Sequence, residues 1–313
     1  MFSKKKIVLI CAVVLVVLGT SIFGIVYAVK QKQKEKPSSD TGKEKKTEGT
    51  GTAEEPSSDR NNPPDVVSDG LPNLGNTCYA NTVFQTLYHI QPLREFVKKK
   101  NNKPVLKELD DLFLSMEKKD GEREKERKLE NIKRVIGDIF KTEMRDAVEF
   151  MREVFGEIEK NLEGPKIPKS GDYKELEKIF YSRTDENNIC FVTREGKSVQ
   201  EVLEKQQSTP KTSEVLILSI ESMLGREYET SKEITREGIE YSLSQVCVFT
   251  GKDYDGHYHL LVKTESNPWK EFSDMRERSV GEGEVFGISP NHTMNKAAGS
   301  KTVRYLVYTK NSA

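Results

Sequence analysis

The sequence contains one cysteine and one histidine whose settings suit nucleophilic chemistry. Cys78 follows a glycine- and asparagine-rich stretch, GLPNLGNT, and opens an amphipathic run with apolar side chains at helical spacing. A thiol at a helix start lies near unpaired backbone N–H groups and the positive end of the helix dipole, and both favour the thiolate. The candidate base is His257, which follows Gly256, a residue that leaves room for a substrate backbone. We therefore predict thiol catalysis, against the plainer interpretation of Cys78 as a small buried apolar residue.

Two longer segments resemble a known family. The stretch GLPNLGNTCYANT, residues 70–82, resembles the cysteine box of the ubiquitin-specific proteases, which are papain-like deubiquitinases. The stretch GKDYDGHYHLLVK, followed by WKEFSD, resembles their histidine box, and the two boxes occur in the expected order. The resemblance covers roughly residues 70–310 and is patchy between the boxes. It implies that Cys78 attacks the carbonyl at the C-terminal glycine of ubiquitin, with His257 as the base.

The same resemblance implies roles for three polar residues near the boxes. Asn73 matches the family position whose side-chain amide, with the backbone N–H of Cys78, stabilises the oxyanion. After the WKEF segment most members carry Asp or Asn and then Asp, whereas this chain has Ser273 and Asp274. A serine accepts a hydrogen bond from the histidine but supplies no charge, so we predict that Asp274 contributes more to turnover than Ser273.

A third segment resembles the part of the family that receives the ubiquitin tail. The stretch MRDAVEFMREVF, residues 144–155, is similar to the acidic helix motif QDAxEFL. By position, Asp146 and Glu149 would meet the basic C-terminal tail of ubiquitin, and Tyr258 is assigned to the same substrate-binding set. The glutamine expected before the acidic residue is Arg145 here, which is a departure from the motif. The second histidine of the box, His259, is interpreted as structural.

Cysteine spacing argues against metal or disulfide chemistry. The four cysteines contain no CxxC pair, so neither a zinc site nor a disulfide framework is indicated, and lone thiols fit a reducing compartment. Many ubiquitin-specific proteases hold zinc in a fingers subdomain with two CxxC pairs, but only Cys190 falls in that region here. We expect reduced, zinc-free fingers, no metal site and no cofactor.

Overall charge favours no particular partner. The 313 residues include 50 basic and 50 acidic side chains, whereas binding to nucleic acid calls for a basic surplus. We therefore expect ubiquitin and ubiquitinated proteins as partners, and no nucleic acid.

The N-terminal region predicts a membrane anchor and a tether. After a short tail, residues 1–6, the span 7–29 is uncharged and mostly apolar, and as a helix it would reach roughly 34 Å, enough to cross a bilayer. The alternative is a signal peptide cleaved after Ala28, which would make the protein secreted. Lysines directly after the span favour a cytosolic catalytic domain, with the endoplasmic reticulum and the mitochondrial outer membrane both possible. Residues 30–69 lack aromatic residues and are predicted to be a disordered linker.

Residues 70–310 are predicted to form one catalytic domain of the α+β class. Apolar residues at helical spacing indicate helices in the first half, while the charge run 120–130 is predicted to be a solvated face or a loop. Segments bounded by turn residues indicate strands in the second half, at 215–220, 241–250, 257–264 and 303–309. Helices followed by strands match a papain-like fold, with a helical thumb and an antiparallel palm. The helical stripes are Val105, Leu106, Leu109, Leu112, Phe113 and Met116; Ile132, Val135, Ile136, Ile139 and Phe140; and Ala147, Val148, Met151, Val154, Phe155 and Ile158.

The sequence thus predicts a membrane-anchored thiol deubiquitinase facing the cytosol. Two further functions stay open on the sequence alone. One is a catalytically weak or inactive ubiquitin-binding adaptor at a membrane, favoured by Ser273, Arg145 and the reduced fingers. The other is a protease for a different ubiquitin-like modifier.

Overall fold

A computed structural model describes residues 68–163, 171–180, 191–192, 198–204, 213–219, 231–252, 255–264, 269–286 and 301–311. All of them lie in one compact unit of the chain, residues 61–313. The predicted tail 1–6, the predicted anchor 7–29 and the predicted linker up to residue 67 lie outside the described residues. Within the described part, no helix is both long enough and apolar enough to cross a bilayer.

Helices dominate the first half of the described chain, as the apolar spacing predicted. Prolines near the first turn of α2 and α3 suit those helix starts, because the missing N–H has no partner there in any case. The helices are α1 (Cys78–Tyr88), α2 (Gln91–Lys99), α3 (Pro104–Glu117), α4 (Glu122–Ile136), α5 (Ala147–Glu163), α6 (Gly171–Ile179), α7 (Val199–Glu204) and α8 (Glu282–Phe286), with a 3-10 turn at Gly137–Ile139.

Helix α1 lies at the centre of the domain, and all of its residues are buried. It packs against α5 on one side and against strands of the sheet on the other. Its buried polar side chains have partners within the protein: Gln85 donates to the Asp69 carbonyl at 2.6 Å, and Thr86 donates to the Thr82 carbonyl at 2.9 Å. A helix buried on all sides holds Cys78, its first residue, in a fixed position relative to the sheet.

The second half forms one mixed, mainly antiparallel sheet, which confirms the α+β prediction. The strands follow the order β1-β2-β8-β4-β5-β6-β7, with β3 paired to β4. Among the strands that the structure describes, only β1 and β2 run parallel. The helices α1 to α6 cover one face of the sheet, while α7 and α8 contribute to the apolar cluster on the other. The strands are β1 (Phe191–Val192), β2 (Val215–Ser219), β3 (Glu233–Arg236), β4 (Ile239–Lys252), β5 (Asp255–Lys263), β6 (Trp269–Ser273), β7 (Arg276–Val280) and β8 (Lys301–Lys310).

The charge run forms a mostly solvated helix face, which is one of its two predicted forms, but it contains one buried lysine. Most of it belongs to α4, and within that helix Lys125 is fully buried. Its ammonium group donates to the backbone carbonyls of Ser68 and Gly70, the latter at 3.0 Å, and burial lowers the pKa of the amine. Lys125 therefore joins α4 to the segment that leads into the cysteine loop. Val135, predicted to be core, is exposed.

The predicted zinc-free fingers lie largely outside the described residues, and so does Cys190. In the part of the chain that the structure describes, no group of three or more His, Cys, Asp or Glu side chains could hold a metal ion.

Candidate active site

The loop before α1 is ordered by a single asparagine side chain. The Asn73 Oδ1 atom accepts hydrogen bonds from the backbone N–H groups of Gly75 and Thr77, both at 3.0 Å. The hydroxyl of Thr77 also donates to this oxygen, at 3.2 Å, and accepts from the Leu74 N–H at 2.9 Å. Gly75 and Asn76 both have left-handed backbone conformations, with φ of 94° and 51°, which these residue types tolerate best. The Asn73 side chain thus fixes the turn that immediately precedes Cys78.

Cys78 is the first residue of α1, and its side chain is nearly out of contact with solvent. The residue is 2% exposed, and this burial raises the pKa of its thiol, a direction to which the nearby Asp274 carboxylate adds. Backbone hydrogen bonds, above all from Tyr258, oppose the rise without overcoming it. The result is opposite to the direction expected from the helix start alone, because desolvation outweighs the amide dipoles. The hydrogen bond from Tyr258 also places the Cys78 sulfur beside the backbone of the residue that follows His257.

The imidazole of His257 is held by the end of strand β6 and the turn that follows it. Its Nε2 atom lies 2.8 Å from the Ser273 Oγ atom and 3.9 Å from the Asp274 Oδ2 atom. The side chain is 38% exposed, so a substrate can reach it. With Nε2 engaged by Ser273, the Nδ1 atom is left for proton exchange with the thiol. Among the contacts of the described residues, no hydrogen bond joins the imidazole to the sulfur, and such contacts often tighten only when substrate binds.

Asp274 connects the sheet to the cysteine loop and to α1. It opens the two-residue turn between β6 and β7 with a φ of 50°. One carboxylate oxygen accepts from Asn81 Nδ2 at 2.7 Å, and the other accepts from Asn73 Nδ2 at 2.9 Å. The backbone carbonyl of Asp274 accepts from the Leu71 N–H at 3.1 Å. One residue therefore sets the position of the predicted oxyanion donor relative to the predicted base.

These contacts also fix the orientation of the Asn73 amide. Because its oxygen accepts from backbone N–H groups and its nitrogen faces a carboxylate, only one assignment of the two atoms satisfies every partner. One N–H of the amide is given to Asp274, and no described residue accepts the other. The second N–H is the group that can meet a developing oxyanion.

Comparison with known proteins agrees with this geometry. Residues 69–196 match the family model described as ubiquitin carboxyl-terminal hydrolase. The matched segment, which is less than half of the chain, is similar to the ubiquitin carboxyl-terminal hydrolase family. The match contains the cysteine loop, α1 and α5, and it indicates a cysteine-type ubiquitin hydrolase. His257, Ser273 and Asp274 lie beyond the end of this match.

Solved structures with the same fold cover the sheet as well. A chain of the SAGA DUB module Ubp8/Sgf11/Sus1/Sgf73 bound to monoubiquitin has a TM-score of 0.58 at 15% identity, over 79% of this chain and 70% of that one. The same module bound to ubiquitin aldehyde has a TM-score of 0.57 at 16% identity, over 79% and 71%. A yeast SAGA module with a mutant Sgf73 has a TM-score of 0.54 at 17% identity, over 83% and 71%. At these identities the likeness shows a shared fold.

The structure also shows a site residue of this hydrolase that the sequence analysis missed. Asn81 is buried, and its amide donates to Asp274 and to the carbonyls of Leu71 and Pro72 at 3.2 and 3.0 Å. Its signal in the sequence is its position three residues after Cys78, which puts both side chains on one side of the helix. An asparagine buried beside a nucleophile needs polar partners, and the loop and the turn supply them.

The predicted tail-binding residues are only partly brought together. Asp146 caps α5, and the hydroxyl of Tyr258 donates to its Oδ2 atom at 3.4 Å. Tyr258 itself is buried and packs on Phe249, with ring centroids 4.9 Å apart. The Glu149 side chain is 64% exposed. Arg145, the departure from the family motif, forms a bidentate ion pair with Glu153 at 2.8 and 2.9 Å.

His259 is buried in the sheet, in keeping with its structural interpretation. Its Nε2 atom lies 3.8 Å from the Glu271 carboxylate, and burial lowers the pKa of the imidazole to about 3. The ring is therefore neutral at physiological pH and does not compete with His257 as the base.

Gly256 has a role different from the expected one. A Cβ atom at this position would lie 2.4 Å from the Phe249 ring and 2.6 Å from the Thr250 carbonyl. The space beside Gly256 is thus taken by the neighbouring strand β4. The glycine is explained by packing within the β4–β5 hairpin, and this space does not admit a substrate backbone.

A methyl group at Gly70 is expected to damage the active site from a distance. Its Cβ would lie 2.5 Å from the Asp274 carbonyl oxygen and 2.7 Å from the Met275 Cα, and backbone atoms cannot yield as a side chain can. We expect Gly70→Ala to destabilise the fold by roughly 1–3 kcal/mol and to lower kcat by displacing the turn. Thermal unfolding and turnover of a ubiquitin conjugate measure the two effects. The control is Gly156→Ala in α5, where the added methyl meets nothing within 4 Å; equal behaviour of the two variants would contradict the prediction.

The raised pKa of Cys78 predicts a pH dependence. Since the folded-state pKa lies above the ordinary thiol value, the group is protonated at neutral pH and becomes a thiolate only as the pH rises. Alkylation of Cys78 by iodoacetamide, followed by mass spectrometry of the intact chain, should therefore accelerate steadily from pH 6 to pH 9. A rate that levels off below neutral pH would instead indicate a stable thiolate–imidazolium pair.

Proposed function

We propose that this chain is a membrane-anchored thiol deubiquitinase. It hydrolyses peptide and isopeptide bonds at the C-terminal glycine of ubiquitin, with Cys78 as the nucleophile and His257 as the base. The observation that carries the proposal is the junction at Asp274. This single turn residue joins the loop that holds Asn73, the helix that begins with Cys78 and the strand that holds Ser273 against His257.

Acylation follows from the groups at this junction. His257 takes the proton of the Cys78 thiol, and the sulfur attacks the carbonyl carbon of the C-terminal glycine of ubiquitin. The charge that forms on the carbonyl oxygen meets the backbone N–H of Cys78 and the remaining amide N–H of Asn73. When the carbonyl re-forms, the bond to the lysine nitrogen breaks, and His257 gives its proton to the departing amine. The product of this half-reaction is a thioester between Cys78 and ubiquitin.

Hydrolysis of the thioester uses the same groups in a second cycle. His257 takes a proton from water, and the hydroxide oxygen bonds to the thioester carbonyl carbon. The carbon–sulfur bond then breaks, ubiquitin leaves with a free carboxylate, and His257 returns the proton to the sulfur. Ser273 holds the Nε2 atom of the imidazole through both steps, so that the proton always moves at Nδ1.

Two lines of support favour ubiquitin as the modifier. The family model carries ubiquitin in its description, and its match contains the cysteine loop. The SAGA modules that share the fold are bound to monoubiquitin in one case and to ubiquitin aldehyde in another. An aldehyde at the end of ubiquitin reacts with a thiol at the carbon that a protease would attack.

The experiment is labelling of the full chain in detergent with a ubiquitin probe that carries a C-terminal electrophile. We expect one adduct with the wild-type chain and none with Cys78→Ala. A matched control is Cys247→Ala, because Cys247 is fully buried in β4 and burial raises its pKa, so its removal should leave the adduct intact. A folded wild-type chain that forms no adduct would refute the proposal and favour the adaptor function.

The membrane part of the proposal rests on residues 7–29 alone. Their length and lack of charge support a single span, and the lysines that follow support a catalytic domain in the cytosol. Carbonate extraction of membranes from expressing cells should leave the chain in the pellet, and added protease should digest residues 61–313 without detergent. A mature N-terminus directly after Ala28, found by N-terminal sequencing, would instead show a cleaved signal peptide.

A further inference from the structure

Strand β8 contains a β-bulge whose extra residue is Arg304. On the neighbouring strand, Cys247 pairs with Tyr305 and Val248 pairs with Val303, so Arg304 has no partner position of its own. A bulge redirects the side chain at the extra position, and bulges are common beside active sites. Here the Arg304 side chain reaches the start of α5, on the helical face of the sheet.

The group that Arg304 reaches is the carboxylate of Asp146. The two side chains form an ion pair through Nη2 and Oδ2, with 12% and 25% of the side chains exposed. The other oxygen, Oδ1, accepts from the backbone N–H groups of Val148 and Glu149 at 2.8 and 3.0 Å. Both oxygens of the predicted tail-binding carboxylate are therefore engaged within the chain, and a half-buried Arg–carboxylate pair is stronger than one in solvent.

The second predicted tail-binding carboxylate also lies near an arginine. Arg145 lies 3.9 Å from Glu149 while it holds Glu153 in a bidentate pair. A basic side chain that approaches this corner thus meets two guanidinium groups as well as the acids. The positive charges of these arginines repel a basic tail side chain, whereas they change the affinity for an uncharged one much less.

We propose that Arg304 is a specificity-determining residue that fills the acidic subsite at Asp146 from within the chain. The cleft then prefers a modifier tail with an uncharged side chain at the position that faces Asp146, over a tail with a basic one. This inference rests on the proposed function, since it concerns the tail whose C-terminal glycine Cys78 attacks. It refines the substrate class of the proposed function: the cleft accepts ubiquitin, and it binds a ubiquitin-like tail more tightly when that tail is uncharged at this position.

The test measures binding of tail variants, so that it does not depend on turnover. The full chain carrying Cys78→Ala is titrated in detergent with ubiquitin and with ubiquitins in which each basic tail residue is changed singly to alanine. For one of these changes we expect Kd to fall about threefold, the size of a weak charge repulsion. With Arg304→Met added, which keeps the aliphatic length and frees Asp146, the same change should raise Kd roughly tenfold.

A matched control and a folding check accompany the titration. Arg127→Met removes an arginine that pairs with Glu124 on the exposed face of α4, and it should leave the preference of the parent chain unchanged. Thermal unfolding shows whether Arg304→Met is folded; if it is not, Arg304→Lys, which keeps a charge without the bidentate fork, takes its place and should weaken the preference.

The outcomes separate this inference from the proposed function. If no alanine change lowers Kd in the Cys78→Ala chain, or if such a change acts equally with and without Arg304→Met, the inference is overturned. Adduct formation by the wild-type chain in that case leaves the deubiquitinase proposal standing. If the preference reverses as expected while no adduct forms, the tail specificity holds and the catalytic proposal fails.

Discussion

Replacing His257 by glutamine is expected to lower kcat/KM on a ubiquitin conjugate by roughly 10³-fold or more. Glutamine keeps a polar side chain near Ser273 but can neither take the proton of Cys78 nor return it to the leaving amine. The loss should be large because burial raises the pKa of the thiol, so little thiolate forms without a base. The measurement is steady-state hydrolysis of a fluorogenic ubiquitin amide by the full chain.

The control for this variant is on the same strand. His259→Gln replaces a buried neutral imidazole near Glu271, so it should lower the melting temperature while changing kcat/KM less than tenfold at a temperature where the chain stays folded. The expectation would be contradicted by a loss below tenfold in His257→Gln, or by equal losses in the two variants.

Asp274→Asn is expected to lower kcat/KM by roughly 10²-fold, the typical scale of a displaced oxyanion donor. The amide keeps one acceptor oxygen and tolerates the left-handed backbone at this turn, so the fold is preserved. It cannot, however, accept from both Asn73 and Asn81, and it removes the negative charge 3.9 Å from the His257 imidazole. The oxyanion donor and the base are therefore disturbed together.

Ser273→Ala is the comparison variant, and it should cost only about tenfold, the scale of one neutral hydrogen bond. It removes the 2.8 Å contact to the imidazole but leaves Asp274 and its two asparagines in place. Melting temperatures of both variants should remain near that of the wild type. Equal losses in the two variants would contradict the prediction, because they would show that the serine contributes as much to turnover as the carboxylate.

Most of the fold could be predicted because the apolar residues at helical or strand spacing in the sequence are mostly the residues that are buried in the structure. The predicted strand at 215–220 is observed at Val215–Ser219, and the predicted strand at 303–309 lies within Lys301–Lys310. Lys125 is buried within the solvated face predicted for residues 120–130, and this exception has a physical cause. Lys125, Leu129 and Ile132 follow helical spacing and form one buried stripe. A sequence pattern counts every lysine as polar and solvent-exposed, because it does not show whether the ammonium group reaches water or backbone carbonyls.

The site was predictable in its residue types and less so in its contacts. Cys78, His257 and Asp274 come from motifs, and the structure brings them to one junction. The ion pair that Asp146 forms with Arg304 was not predicted, because the bulge that directs Arg304 depends on the register between β4 and β8. Register is a property of two distant segments, so no local pattern around Arg304 announces it. The one local sign is that Arg304 is the only charged residue in the segment TVRYLVY, residues 302–308.

The buried amine of Lys125 has a mechanical consequence for a protein held at its N-terminal end. Tension in the segment before residue 68 reaches the folded domain at Ser68 and Gly70, whose carbonyls Lys125 holds. Asn73, which orders the cysteine loop, lies three residues after Gly70. If residues 7–29 anchor the chain as proposed, a pull on the segment that follows them is resisted at α4 before it can shift the loop that aligns the nucleophile.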